Sequence, residues 1–160
     1  MVNLCCKCAG LDNAYSIFVD MCRSPFLDVL TTMECPQMAL TIHEHDEWGD
    51  PLADPVTRDY IASYCPCSNA HNTPSNPCNK TIAFISVGLG DTRLGAWESV
   101  KFAQRIRVAK VSTVVENNSR ETPVVVKLLP DCGHEGPQSG SQLKTLLAEE
   151  LAFLDDVVRR

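Results

Sequence analysis

The sequence predicts an α/β fold built on a parallel sheet, and three observations carry the prediction. Three short runs rich in β-branched and aromatic residues, at 15–21, 81–87 and 123–129, read as buried strands. Segments with helical period lie between and after them. Strands alternating with helices of this length imply βαβ units, hence a parallel sheet covered on both faces. Three strands are few for such a sheet, which would bury little and leave two edges unpaired, so the chain reads as half of something larger.

After the first strand, Asp54 and Pro55 form an N-cap and N1 pair that opens a helix. Val56, Tyr60, Ile61 and Tyr64 make its apolar face, and Pro66 stops it. Residues 65–80 are polar and turn-rich and read as a linker to the second strand. Trp97, Val100, Ala103 and Ile106 mark a second helix, followed by a second linker at 111–122, an exposed loop tolerant of length variation. The last helix has the clearest pattern. Ser139 and Gln142 can form a capping box, Leu143, Leu146, Leu147, Leu151, Leu154 and Val158 form one stripe, and Arg159 and Arg160 suit its negative end.

At 160 residues there is room for one domain. With 44% apolar and 21% charged residues and no repeat period, the composition is that of an ordered globular protein. The net charge of -6, with no cluster of Lys or Arg, argues against nucleic acid or an anionic membrane as partner and suits a cationic ligand. No basic stretch followed by a long apolar core opens the chain, and no segment is long enough to span a bilayer, so a cytoplasmic location is expected. In that compartment the nine cysteines, odd in number and irregularly spaced, are expected as free thiols. The sequon-like 79–81 and 117–119 carry no weight there.

Five motifs carry the functional information. They are Pro25-Phe-Leu-Asp-Val-Leu-Thr-Thr-Met33, then Glu44-His-Asp-Glu-Trp-Gly-Asp-Pro51, then Tyr64-Cys-Pro66, then Gly88-Leu-Gly-Asp-Thr-Arg93 with Trp97, and finally Cys132-Gly-His-Glu-Gly136. In order and spacing they resemble the prolyl oligopeptidase family of serine peptidases, in its oligopeptidase B and prolyl endopeptidase-like branch. Several independent motifs in register are a far stronger signal than one matching tripeptide. The resemblance runs over residues 14–160 and leaves 1–13 as a divergent segment. It implies an incomplete α/β-hydrolase fold, the C-terminal strands and helices of the parallel sheet.

In such enzymes the triad runs Ser, Asp, His along the chain, on loops that follow strands. Asp91 follows the strand at 81–87 and His134 the strand at 123–129. By resemblance Asp91 is the orienting carboxylate and His134 the general base. Arg93 corresponds to an arginine that hydrogen-bonds the peptide backbone of the substrate, and Glu44 and Asp46 to two acidic residues that hold an Arg or Lys side chain before the scissile bond. Two carboxylates at i, i+2 on an extended segment would point the same way. Taken alone, Asp91 also reads as a turn residue, His134 as a loop histidine, Arg93 as a surface arginine and the acidic pair as a solvated loop.

The family's Gly-x-Ser-x-Gly nucleophile elbow would fall at or before Met1, and neither Ser16 nor Ser24 has the glycine neighbours an elbow needs. The expectation is therefore a peptidase of short peptides, cleaving after Arg or Lys, that lacks its nucleophile here and is inactive alone. It would be completed by an upstream peptidase segment or by a homo-oligomer. Two departures stand inside the motifs: Glu135 where the family has glycine after its histidine, and Gly90 where it has histidine before its aspartate. Rival readings are a non-catalytic regulatory relative, a Cys8 thiol nucleophile, and a zinc module. The Cys-x-Cys pairs at irregular intervals do not match zinc knuckles, and no metal or cofactor is expected.

Overall fold

The computed structural model describes residues 17–20, 26–38, 41–70, 82–117 and 124–159. The elements in order are β1 (Ile17–Asp20), α1 (Val29–Met33), α2 (Thr41–Trp48), α3 (Pro55–Tyr64), α4 (Pro66–Asn69), β2 (Ile82–Gly88), α5 (Ala96–Asn117), β3 (Val124–Leu129) and α6 (Gly140–Arg159). The three strands form one parallel sheet in the order β1-β2-β3, with Phe18 opposite Ala83 and Ala83 opposite Val124.

The period-2 alternation of β2 sends its side chains to two different layers. Ala83 and Ile85 join Ala103 and Ile106 of α5, together with Leu27, Ala70 and Val124, in one buried cluster. Phe84 points the other way and meets Phe153 of α6, ring centroids 5.4 Å apart. Helices thus lie on both faces: the two crossovers, carrying Ala70 and α5, cover one, as right-handed connections in the order β1-β2-β3 require, and α6 covers the other. A second cluster of Val29, Met33 and Ile61 joins α1 to α3.

The expected caps form. Asp54 accepts from the N–H groups of Val56 and Thr57 at 3.0 and 3.1 Å, and Ser139 Oγ accepts from Gln142 N at 3.2 Å. Gln142 Oε1 returns to the Ser139 hydroxyl rather than to its backbone N–H, so the box at α6 is closed through side chains.

Four expectations need correction. On α3 the row Val56, Tyr60, Tyr64 is exposed, and only Ile61 is fully buried, because the α1 residues Val29 and Met33 pack against its side of the helix. The linker expected at 65–80 begins as a packed element: Cys65, Cys67 and Ala70 are buried, Cys67 N donates to Leu27 O at 2.9 Å, and Asn69 Nδ2 serves the carbonyls of Ala62 and Cys65 at the end of α3. The linker expected at 111–122 is helical to Asn117, since no Gly or Pro interrupts α5 and its β-branched residues are only mildly unfavourable there. Finally, the segment bearing Glu44 and Asp46 is the helix α2, not extended chain.

Candidate functional site

In a parallel sheet all strands deliver their following loops to one edge, and the loops after β2 and β3 meet there. Leu89 N donates to Leu129 O at 3.0 Å and Gly90 N to Cys132 O at 2.9 Å, so the two loops are laced by backbone bonds before any side chain contributes. Gly88 permits this approach: a Cβ there would overlap the carbonyl oxygen of Cys132 and stand 2.6 Å from that of Gly133.

Within this frame Asp91 and His134 come together. The Asp91 side chain is wholly buried, and its Oδ1 accepts from the N–H groups of Arg93 and Leu94 at 2.9 and 3.0 Å. These two bonds aim Oδ2 at His134 Nδ1, 3.0 Å away. His134 and Glu135 are the central residues of a turn closed by Gly136 N–H to Gly133 O at 3.0 Å, and Gly136 takes a left-handed φ of 71° that suits glycine. Glu135 is exposed on this turn, so its bulk is carried outward. The imidazole is partly exposed, and among the described residues no hydrogen bond engages its Nε2. Such a pair holds an imidazole in the Nδ1–H tautomer and leaves Nε2 able to accept and return a proton.

Arg93 sits two residues beyond Asp91 with its side chain exposed. Glu44 and Asp46 lie on α2, where side chains two residues apart point roughly 160° away from each other around the axis, so they do not form the parallel fork expected of an extended strand. Glu44 is half-buried, and burial followed by the neighbouring Glu47 pushes its carboxyl above the ordinary range. Asp46 is exposed. Cys8, Ser16 and Ser24 lie outside the described residues.

The sequence reading missed a buried polar network behind this edge. Glu98, in the first turn of α5, is 1% exposed and accepts from Leu27 N, Asp28 N and Thr32 Oγ1 at 3.1, 2.9 and 2.7 Å. Asp28, equally buried, pairs with Lys101, which also bonds Thr31 Oγ1. Burial raises the Glu98 carboxyl, against the lowering effect of the hydrogen bonds it accepts. A signal was available: Glu98, Phe102 and Ile106 recur at i, i+4, i+8, the spacing of one helix face.

Among the described residues no three His, Cys, Asp or Glu side chains gather to hold a metal ion, and no helix is long and apolar enough to cross a membrane. Cys35, Cys65, Cys67 and Cys132 are free thiols, and burial pushes the Cys67 thiol up to about 12, far from the thiolate a nucleophile requires.

Residues 14–160 match the model of the prolyl oligopeptidase family. The chain is similar to dipeptidyl aminopeptidase BI of Pseudoxanthomonas mexicana, 33% identical over 132 residues, and to a prolyl endopeptidase-like protein of Xenopus laevis, 34% identical over 136 residues. Each match covers 82% of this chain but only 16% and 18% of those relatives. Oligopeptidase B from Leishmania major shares the fold with a TM-score of 0.64 and 25% identity, over 87% of this chain and 16% of that one. Oligopeptidase B from Trypanosoma brucei, in its closed form with covalently bound antipain, gives a TM-score of 0.58 and 32% identity over 71% of this chain and 14% of that one.

Proposed function

Since the chain belongs to the prolyl oligopeptidase family of serine peptidases, we propose that it supplies the acid–base half of a peptide-hydrolysing site, with Asp91 and His134 as two members of a Ser–His–Asp triad. The observation that carries this reading is the 3.0 Å bond from His134 Nδ1 to Asp91 Oδ2, with the other Asp91 oxygen held by two backbone N–H groups. His134 Nε2 takes the proton of a serine hydroxyl as that oxygen attacks the scissile carbonyl, then gives it to the departing amine. Water repeats the sequence to release the acyl group. Asp91 keeps the imidazole in the productive tautomer and stabilises the imidazolium without taking the proton.

The substrates are short peptides cut after Arg or Lys, with Glu44 as the main partner of the cationic side chain, Asp46 as a weaker one, and Arg93 on the peptide backbone. The partly buried position of Glu44 and the exposure of the Arg93 side chain support these roles. The 160 residues contain no Gly-x-Ser-x-Gly sequence, so the chain alone does not turn over. The partner is a nucleophile-bearing segment whose strands extend the sheet beyond β1, an edge in the described sheet.

The test is a fluorophosphonate label and a fluorogenic peptide ending in Arg, applied to the chain and to an oligopeptidase B in which residues 26–159 replace the matching segment. The chain alone is expected to show neither labelling nor turnover. The chimera is expected to show both, and to lose turnover on His134→Ala. Labelling of a serine within the chain itself, or chimera turnover indifferent to His134→Ala, would overturn the proposal.

A further inference from the structure

We propose that Glu98 is a positioning residue that holds the Asp91 turn in register for its bond to His134. The inference rests on the reading of that pair given above, but its grounds are separate. The Asp91 turn leads directly into α5: Leu94 N–H holds Asp91 Oδ1 at 3.0 Å, and Glu98 N donates to Gly95 O at 2.9 Å. Whatever anchors the first turn of α5 therefore anchors the backbone that aims Asp91.

That anchor is the Glu98 side chain. Its Oε2 takes the N–H groups of Leu27 and Asp28 at 3.1 and 2.9 Å, and its Oε1 takes the Thr32 hydroxyl at 2.7 Å. Leu27 and Asp28 immediately precede α1 and Thr32 lies within it, so one carboxylate ties the segment after β1 to the segment after β2. A group that only filled space at this depth would be apolar, since a desolvated carboxylate is costly unless it is fully bonded. Glu98 satisfies two backbone donors that have left the strand and not yet entered regular helix bonding. Lys101, one turn along α5, pairs with Asp28 of the same segment and makes the tie two-point.

The geometry, not the charge, does the positioning. Glu98→Gln keeps the length and can still accept the two backbone N–H bonds with its oxygen while its amide faces Thr32. Glu98→Asp keeps the charge but withdraws the acceptors by one methylene, out of reach of residues that belong to a different element.

The experiment is proton NMR of the full 160-residue chain, following the low-field resonance of the His134 Nδ1 proton held by Asp91. Near-UV circular dichroism establishes that each variant is folded. Ile106→Val, two turns further along α5, controls for loss of stability alone. The expected result is that Glu98→Gln and Ile106→Val keep the resonance and that Glu98→Asp loses it or shifts it to higher field. A wild-type resonance in folded Glu98→Asp, or its loss in Ile106→Val, would overturn the proposal. No turnover is read, so a chimera that failed to cleave peptides would refute the peptidase reading without touching this result.

Discussion

Gly88 and Cys132 lie so close that no side chain fits between them: a Cβ on Gly88 would overlap the Cys132 carbonyl oxygen. That contact is where the end of β2 meets the loop after β3, and it sets the distance across which Asp91 meets His134. Gly88→Ala must push backbone against backbone. It is expected to lower stability by about 1–3 kcal/mol, as overpacking does. Urea unfolding measures the loss, and the His134 Nδ1 proton resonance reports whether the loops have parted.

Asp91→Asn retains the volume of the side chain and its two backbone bonds through one oxygen. It turns a donor toward His134 Nδ1 and so favours the wrong tautomer. In the oligopeptidase B chimera this is expected to lower kcat by about 10⁴-fold with the protein still folded. Equal kcat values for the variant and its parent would remove Asp91 from the triad.

The helical form of residues 41–48 separates the two carboxylates that an extended reading would have paired. In the same chimera, Glu44→Gln is expected to reduce discrimination of Arg over a neutral residue by about 1.5–3 kcal/mol, the worth of a charge-assisted bond. Asp46→Asn, at an exposed position, is expected to cost about 0–1 kcal/mol. Ratios of kcat/KM for matched peptides decide this, and equal losses from both variants would favour the fork that the helix argues against.

Burial raises the Glu98 carboxyl above its ordinary value of 4.5. An acid whose folded pKa is raised binds its proton more tightly in the folded state. Its contribution to stability is therefore full below about pH 4.5 and is lost as pH rises through the raised value. Glu98→Gln cannot ionise and lacks this slope. Urea unfolding of both proteins from pH 4 upward is expected to show the wild-type stability falling relative to the variant; a constant difference would mean that the hydrogen bonds Glu98 accepts fully offset its burial.

Ile61 has no exposed surface, whereas Val56 on the same helix is 76% exposed. Ile61→Ala is expected to cost about 2–5 kcal/mol, and Val56→Ser to stay within about 0.5 kcal/mol. Thermal or urea melts of the two variants provide the comparison, and a large loss at Val56 would show that this face is covered.

Local signals were enough for the strands, for the caps of α3 and α6, and for the placement of Asp91 and His134 after β2 and β3. Period-2 runs, an Asp-Pro start and the alternation of strand with helix are each written within a few neighbouring residues. The spacing of the motifs along the chain carried the family in the same way. The bond between Asp91 and His134 joins positions 43 residues apart, and it depends on a parallel register that brings both loops to one edge. Which side of α3 turns inward, and whether 41–48 coils, depended on what α1 presents to them, since an amphipathic segment does not state which neighbour will cover it. Glu98 shows the division most clearly. Its spacing with Phe102 and Ile106 was legible as an inward position, but a buried carboxylate is tolerable only where donors converge on it, and those donors, Leu27, Asp28 and Thr32, come from 66 to 71 residues away. Periodicity within the sequence determined which residues could be buried; only the tertiary structure decided which polar ones would find partners there.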